Sequence, residues 1–296
     1  MWFNLTEKIL EGDYHSLARA ISLVENEVNG YEDFMMKVGH DHKPTIIGIT
    51  GPPGVGKSTL TDALISQYVQ TGLKVGVLCV DPSSPFHLGA ILGDRIRMGD
   101  WHNNKNVFIR SLASRGSLGG LNPMIIEITD ILKFAGFDKI IIETVGVGQS
   151  EIDVVRLADV SVVVLSPESG DEIQLMKAGL MEIADVFVVN KADRPGVDLF
   201  VKNITTMLSQ DKSGKKANAV VVKTIAQHQE GVDVLQNSID KIVATKSIGE
   251  NSELLIERAY QLIAKKRMKD ISRLKLKEEI SSQGEKFNLY QFIQKY

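Results

Sequence analysis

The chain has 296 residues, 43% hydrophobic and 24% charged, which suits one large α/β domain with appendages and is ordinary for a globular protein. Its net charge of −3 (34 basic against 37 acidic side chains) gives no basis for nucleic-acid binding, and its one cysteine, Cys79, excludes disulfide frameworks and cysteine-based zinc sites within one chain. No apolar stretch approaches the ~20 residues of a membrane span, and Glu7, Glu11 and Asp13 interrupt the first apolar positions, so no membrane or secretory signal is read and a reduced, cytoplasmic compartment is expected.

Taken in order, residues 5–28 carry Leu5, Ile9, Leu17, Ile21, Leu23, Val24 and Val28 at roughly helical spacing, and a short helix is predicted over Tyr31–Val38. Gly39-His40-Asp41-His42-Lys43-Pro44 reads as a linker, its two histidines solvated rather than metal-bound. From Thr45, short apolar runs alternate with helical segments, the pattern of a mostly parallel sheet flanked by helices. Predicted strands are Ile46–Thr50, Val75–Val80, Val107–Ser111, Lys139–Glu143, Val160–Leu165, Val186–Asn190 and Ala219–Lys223. Predicted helices are Lys57–Gln70, Leu88–Gly99, Pro123–Ala135, Asp171–Leu180, Val197–Leu208 and Val232–Val243. After about Gly249 the pattern becomes helical and basic over 253–278, read as a solvated face, and the apolar run Phe287–Ile293 must dock on its own core or on another subunit. The expected organisation is an N-terminal helical extension (1–44), a nucleotide-binding domain (45–250) and a C-terminal helical extension (251–296) that serves as a dimerisation arm.

The chemistry concentrates in Gly51-Pro52-Pro53-Gly54-Val55-Gly56-Lys57-Ser58-Thr59, which follows an apolar run and opens a helix. The spacing Gly-x-x-x-x-Gly-Lys-Ser is that of a P-loop, whose curled backbone turns successive N–H groups onto phosphate oxygens. Lys57 is expected to reach the β/γ-phosphates and Ser58 to give its hydroxyl to Mg²⁺, above the positive end of the helix dipole. The alternative is a tight glycine turn between strand and helix with no ligand.

Asn190-Lys191-Ala192-Asp193 follows the run Val186–Val189. A carboxylate at Asp193 can accept from guanine N1–H and N2–H, a donor pattern adenine lacks, so the tetrad favours GTP over ATP. Thr224-Ile225-Ala226 ends the next strand, where a backbone N–H is placed to meet the guanine carbonyl oxygen. Ile140–Glu143 reads as a strand that ends in an acid, with Gly146 three positions on; Glu143 would hold the Mg²⁺ shell and the Gly146 N–H would meet the γ-phosphate. Val147 stands where Ras-like enzymes place a water-orienting Gln, so the catalytic partner of the attacking water is left open among Asp81, Asp94 and Gln149. Slow, partner-dependent hydrolysis follows, since Ras alone runs near ~10⁻⁴ s⁻¹ and a partner raises it about 10⁵-fold.

Together with Val80-Asp81-Pro82-Ser83-Ser84-Pro85-Phe86, Ile91–Met98 and Glu143-Thr144-Val145-Gly146-Val147-Gly148-Gln149-Ser150-Glu151, these motifs resemble the MeaB/ArgK family of P-loop GTPases, also known as LAO/AO transport ATPases, over roughly residues 45–230. The resemblance implies a SIMIBI-type GTPase core, a homodimer with helical extensions at both ends, and action as a chaperone for an adenosylcobalamin-dependent acyl-CoA mutase, chiefly methylmalonyl-CoA mutase, gating cofactor loading and protecting the mutase. It further implies that Lys57, Ser58, Asp81, Asp94 and Glu143 surround Mg²⁺ and phosphate, with Ser58, Asp81, Asp94 and Glu143 as the metal set. By the same resemblance, 144–158 is switch II and Pro167–Glu172 an additional switch loop that signals to the mutase. His87-Leu88 and Ser117 depart from the family pattern at positions that touch partner contacts rather than nucleotide ligands. No Asp-x-His-x-x-Gly segment occurs, so cobalamin would belong to the partner and the bound species here would be GTP or GDP with Mg²⁺. Two other readings stay open: an ATPase or kinase associated with a periplasmic amino-acid (lysine/arginine/ornithine) transport system, against which the tetrad at 190–193 argues, and a regulatory module without appreciable turnover of its own.

Overall fold

The computed structural model describes residues 2–39, 42–81, 99–101, 103–114, 121–144, 154, 157–168, 184–209, 219–246, 248–282 and 287–296. Its strands are β1 (Thr45–Thr50), β2 (Val75–Asp81), β3 (Val107–Ala113), β4 (Lys139–Thr144), β5 (Val160–Leu165), β6 (Val186–Val189) and β7 (Val220–Lys223). All pair in parallel in one seven-stranded sheet, in the order β3-β2-β4-β1-β5-β6-β7. The helices are α1 (Trp2–Leu10), α2 (Tyr14–Glu25), α3 (Tyr31–Lys37), α4 (Lys57–Gln70), α5 (Ile125–Phe134), α6 (Val197–Ser209), α7 (Val232–Thr245), α8 (Ile248–Arg267), α9 (Arg273–Ser281) and α10 (Leu289–Ile293). The predicted helix Asp171–Leu180 and nearly all of Leu88–Gly99 lie outside the described residues.

The strands read as mostly apolar runs because both faces of the sheet are covered, and the period of two divides their side chains between two cores. Ile46, Leu78, Val80, Ile140 and Ile142 pack with α1, α2, α3 and α5, whereas Ile47, Ile49, Val75, Val77, Cys79 and Ile141 pack with α4 and α7. A third cluster joins Val163, Leu165, Phe187 and Val189 to Phe200, Ile204 and Leu208 of α6. The N-terminal helices therefore share a core with the sheet: Leu5, Ile9, Leu17, Ile21 and Phe34 are all buried in it.

The stretch 5–28 is two helices rather than one. Gly12 adopts φ +85°, which an L side chain resists, and Asp13 then caps α2 by accepting from the His15 N–H at 3.0 Å and the Ser16 hydroxyl at 2.6 Å. The linker histidine His42 has its Nε2 2.7 Å from the Phe137 carbonyl oxygen. The basic helical stretch 253–278 is likewise interrupted, since α8 stops at Arg267 and α9 begins at Arg273 with Ser272 at its N-cap.

Residues Met1–Asn251 and Ser252–Tyr296 form two separate compact units. In the second, Phe292 is buried between the Phe287 and Tyr296 rings, with centroids 5.5 and 5.6 Å away, and Lys295 lies 4.1 Å over the Phe292 ring. Of the apolar run 287–293, Phe287 and Phe292 pack in that cluster, whereas Leu289, Tyr290 and Ile293 stay exposed.

Candidate nucleotide site

The sheet order fixes where a ligand can sit. β1 lies between β4 and β5, and the chain runs outward on opposite sides of it, so the carboxyl end of β1 is a topological switch point. The loop 51–56 leaves β1 there and enters α4 at Lys57. Two of its glycines are required by space as well as by dihedral angle. Gly51 has φ +139°, and a Cβ there would lie 2.1 Å from the Val164 carbonyl oxygen of β5. Gly56 has φ +93°, and a Cβ would lie 2.5 Å from Asn190 Nδ2. Lys57 is buried, and its ammonium donates to the carbonyl oxygens of Gly51 (2.8 Å) and Pro52 (2.9 Å), which holds it folded back over the loop.

Ser58 and Glu143 meet although the chain separates them by 85 positions: the serine hydroxyl donates to Glu143 Oε1 at 2.6 Å. The parallel register brings this about, because Glu143 of β4 is paired with Ile49, just before the loop, and with Cys79 of β2. Thr61, one helical turn beyond Ser58, donates to Glu143 Oε2 at 2.7 Å, and both Thr61 and Glu143 are buried. Beside them the Thr144 hydroxyl donates to Thr50 Oγ1 at 2.9 Å, tying the end of β4 to the root of the loop. A buried carboxylate and a serine hydroxyl form a hard oxygen donor set, and with its O–H donated to Glu143 the serine keeps its lone pairs for a cation, so the pair fits Mg²⁺.

Asn190 links this loop to the second half of the site. Its Nδ2 donates to the Val55 carbonyl oxygen (2.9 Å), and its Oδ1 accepts from the Thr224 hydroxyl and the Ala226 N–H (3.1 Å each). Three loops, after β1, β6 and β7, thus meet on one side chain that is only 3% exposed. Lys191 takes φ +57°, and the turn is held by the Ala192 N–H on the Thr224 carbonyl at 3.0 Å. Asp193 is half exposed, with Oδ2 3.7 Å from Arg194 Nε. Glu168, which follows β5, bridges Lys191 (3.3 Å) and Arg194 (3.2 Å). The N–H groups of Thr224, Ile225 and Ala226 each donate within the chain, to Val189, Glu230 and Asn190 respectively.

The residues expected from the sequence thus fall into two linked clusters, with Lys57, Ser58 and Glu143 on one side of the loop and Asn190, Lys191, Asp193, Thr224 and Ala226 on the other. Asp81 closes β2 in register with Ala113. Asp94, Gly146 and Gln149 lie outside the described residues, as do all of the stretch 82–98 and most of 145–156. Sequence reasoning misses Thr61, the Thr50–Thr144 hydroxyl pair and the bridge from Glu168, a residue it places only in the Pro167–Glu172 loop, to Lys191 and Arg194. Only Thr61 had a signal, the three-residue spacing from Ser58 that puts both hydroxyls on one helix face.

A family profile described as methylmalonyl Co-A mutase-associated GTPase MeaB matches residues 17–280. A Pyrococcus horikoshii protein named provisionally as a GTPase is 45% identical over 261 residues, spanning 86% of this chain and 80% of that protein. The mitochondrial methylmalonic aciduria type A homolog of Caenorhabditis elegans is 38% identical over 205 residues, 64% of this chain and 51% of that one. Among solved structures, a LAO/AO transport system kinase superposes with a TM-score of 0.70 at 25% identity, covering 96% of this chain and 87% of that one.

Proposed function

The chain belongs to the MeaB family of methylmalonyl-CoA mutase-associated GTPases, and on that premise we propose that it is a Mg²⁺-dependent GTPase serving as a chaperone for an adenosylcobalamin-dependent acyl-CoA mutase. The observation that carries the nucleotide assignment is the Asn190 side chain, which bonds the phosphate loop through Val55 and the loop after β7 through Thr224 and Ala226. One ligand that touched both loops would span a triphosphate and a base.

In this reading the loop 51–59 wraps the phosphates, with the backbone N–H groups of Gly54–Thr59 and Lys57 binding them, and Lys57 exchanges its bonds to the Gly51 and Pro52 carbonyls for phosphate oxygens. Asp193 accepts from guanine N1–H and N2–H, and guanine displaces Arg194 toward Glu168. The guanine carbonyl oxygen shares the Ala226 N–H with Asn190. Ser58 and Glu143 hold the cation, with Asp81 and Asp94 completing its set. When bound, Mg²⁺ supplies charge neutralisation at the β- and γ-phosphate oxygens. The Gly146 N–H meets the γ-phosphate, and the attacking water is oriented by a side chain from the set Asp81, Asp94 and Gln149. Turnover is slow until the mutase engages.

The similarity to the methylmalonic aciduria type A homolog supports the mutase as client. The exposed apolar side chains Leu255, Ile256, Tyr260 and Ile263 of α8 support a homodimer contact through 251–296. No helix among the described residues is long and apolar enough to cross a membrane, in keeping with a cytoplasmic protein. The similarity to a transport system kinase favours a second reading, an ATPase or kinase of an amino-acid transport system, which the guanine-reading tetrad opposes. Titration of GTP, GDP and ATP with Mg²⁺ against the wild type and Asp193→Ala separates the two. Guanine preference that collapses in the variant is expected, followed by co-elution with, and GTPase stimulation by, a cobalamin-dependent mutase. ATP binding equal to or tighter than GTP binding would overturn the assignment.

A further inference from the structure

Glu143 carries the acidic position of the metal site with one methylene more than aspartate has, and so with one more rotatable bond to restrain. Its two oxygens are held separately: Oε1 by Ser58 at 2.6 Å and Oε2 by Thr61 at 2.7 Å. Thr61 lies in the first turns of α4, is 0% exposed, and turns its hydroxyl to the carboxylate rather than to the preceding helical turn. Glu143 is itself only 4% exposed. From this geometry we infer that Thr61 is a positioning residue for the metal site, acting through Glu143.

Thr61 fixes the far oxygen, which leaves Oε1 directed at Ser58. Glu143 Oε1 in turn accepts the Ser58 O–H, so the serine turns its lone pairs, not its hydrogen, to the cation. The polarity of three groups is set in sequence: Thr61 donates, Glu143 accepts twice, Ser58 donates and faces outward. Without the Thr61 hydroxyl, Oε2 loses this donor and the tilt of the carboxylate plane toward Ser58 is less restrained. The donor set then has to be ordered when the metal arrives, which weakens Mg²⁺ without touching a phosphate contact. Removing an outer hydrogen-bond partner of a metal ligand typically lowers metal affinity 10- to 100-fold.

The inference rests on the Mg²⁺–guanine-nucleotide reading, and its test keeps the two apart. Binding of a fluorescent GDP analogue is titrated with Mg²⁺ in the wild type, Thr61→Val and Thr61→Ser, and repeated in EDTA; Mn²⁺ binding to the GDP complex is read by electron paramagnetic resonance. The expected result for Thr61→Val is a rise of roughly tenfold or more in the half-saturating concentration of both ions, with GDP affinity in EDTA within about twofold of wild type. Thr61→Ser, which keeps the hydroxyl, is expected within about threefold of wild type in every reading. If Thr61→Val does not fold, Thr61→Ala removes the hydroxyl without placing a methyl against the carboxylate and carries the same expectations. An unchanged ion dependence, or an EDTA affinity lost as fully as the Mg²⁺ affinity, would overturn the positioning role. A wild type that binds no guanine nucleotide would instead overturn the reading beneath it.

Discussion

Truncating Asn190 tests the brace on which the two halves of the site depend. Asn190→Ala removes three hydrogen bonds, to the Val55 carbonyl, from the Thr224 hydroxyl and from the Ala226 N–H. At about 1 kcal/mol net for each, the loss is about 3 kcal/mol. The partners left behind are also enclosed, with Thr224 1% and Ala226 5% exposed, which moves the expectation toward ~4 kcal/mol unless water enters the vacated space. That is a large part of a typical stability of ~5–15 kcal/mol, so the variant should fold but melt early. Both tryptophans, Trp2 and Trp101, belong to the unit Met1–Asn251, and Trp101 is anchored there by donation to Asp62 at 2.6 Å. Tryptophan emission during urea unfolding therefore reports the unit that contains the site. Thr224→Val, which removes one donor to Oδ1, should lose only about 1 kcal/mol in the same assay. Guanine-nucleotide affinity of Asn190→Ala should fall at least about tenfold, because the ligand must then order both loops itself, at a penalty of at least about 1.4 kcal/mol. A stability loss under about 1 kcal/mol, with nucleotide affinity unchanged, would refute the reasoning.

Gly51→Ala should abolish nucleotide binding and remove more than about 3 kcal/mol of stability, because at φ +139° its Cβ meets the Val164 backbone carbonyl at 2.1 Å; a variant with wild-type melting temperature and affinity would contradict this. Tyr68 is buried, its hydroxyl oxygen has no hydrogen-bond partner among the described residues, and burial first, then the Asp240 charge, push its pKa well up. The folded state therefore keeps the phenol proton while the unfolded chain releases it above about pH 10, so stability is full below that pH and falls as pH rises, by up to about 1.4 kcal/mol per unit. Tyr68→Phe should remove that alkaline loss and change stability little at pH 7, as paired urea melts at pH 9 and 11 would show. Glu168→Gln breaks ion pairs to Lys191 and Arg194 that are 35–52% exposed; less than about 1 kcal/mol of stability should go, fading at ~1 M salt, and a larger, salt-insensitive loss would mean the bridge is better shielded than its exposure indicates.

What could be read from the sequence was what neighbouring residues encode together. The mostly apolar runs announce strands covered on both faces, and the ends read for 46–50, 160–165 and 186–190 fall within a residue of the observed ones. The glycine loop and the tetrad 190–193 are legible because each packs its function into a few successive positions. The break at Gly12-Asp13 was legible too, through a glycine followed by an N-capping aspartate with Ser16 in the next turn, but the run of apolar spacing on either side overrode it. The interruption between Arg267 and Arg273 carries neither glycine nor proline, and its one local mark is the N-capping residue type of Asp270 and Ser272, weak within a charged helical stretch.

The site's internal wiring is of a different kind. Glu143 is 85 positions from Ser58 and 82 from Thr61, and Asn190 is 135 from Val55. No spacing rule relates residues so far apart; they meet only because β4 is inserted beside β1 and β6 lies two strands away on the other side. The strand order was the one feature of the sheet that periodicity could not supply, since every apolar run is compatible with every neighbour. Once that order is known, Glu143 is forced beside Ile49 by register, and the only remaining question is which side chains on the first turns of α4 can reach it. Ser58 and Thr61 answer that by helical geometry alone, three residues apart on one face. Topology therefore carries the part of the chemistry that the motifs leave out: the motifs name the groups proposed to touch a nucleotide, and the sheet order selects the groups that hold those groups still.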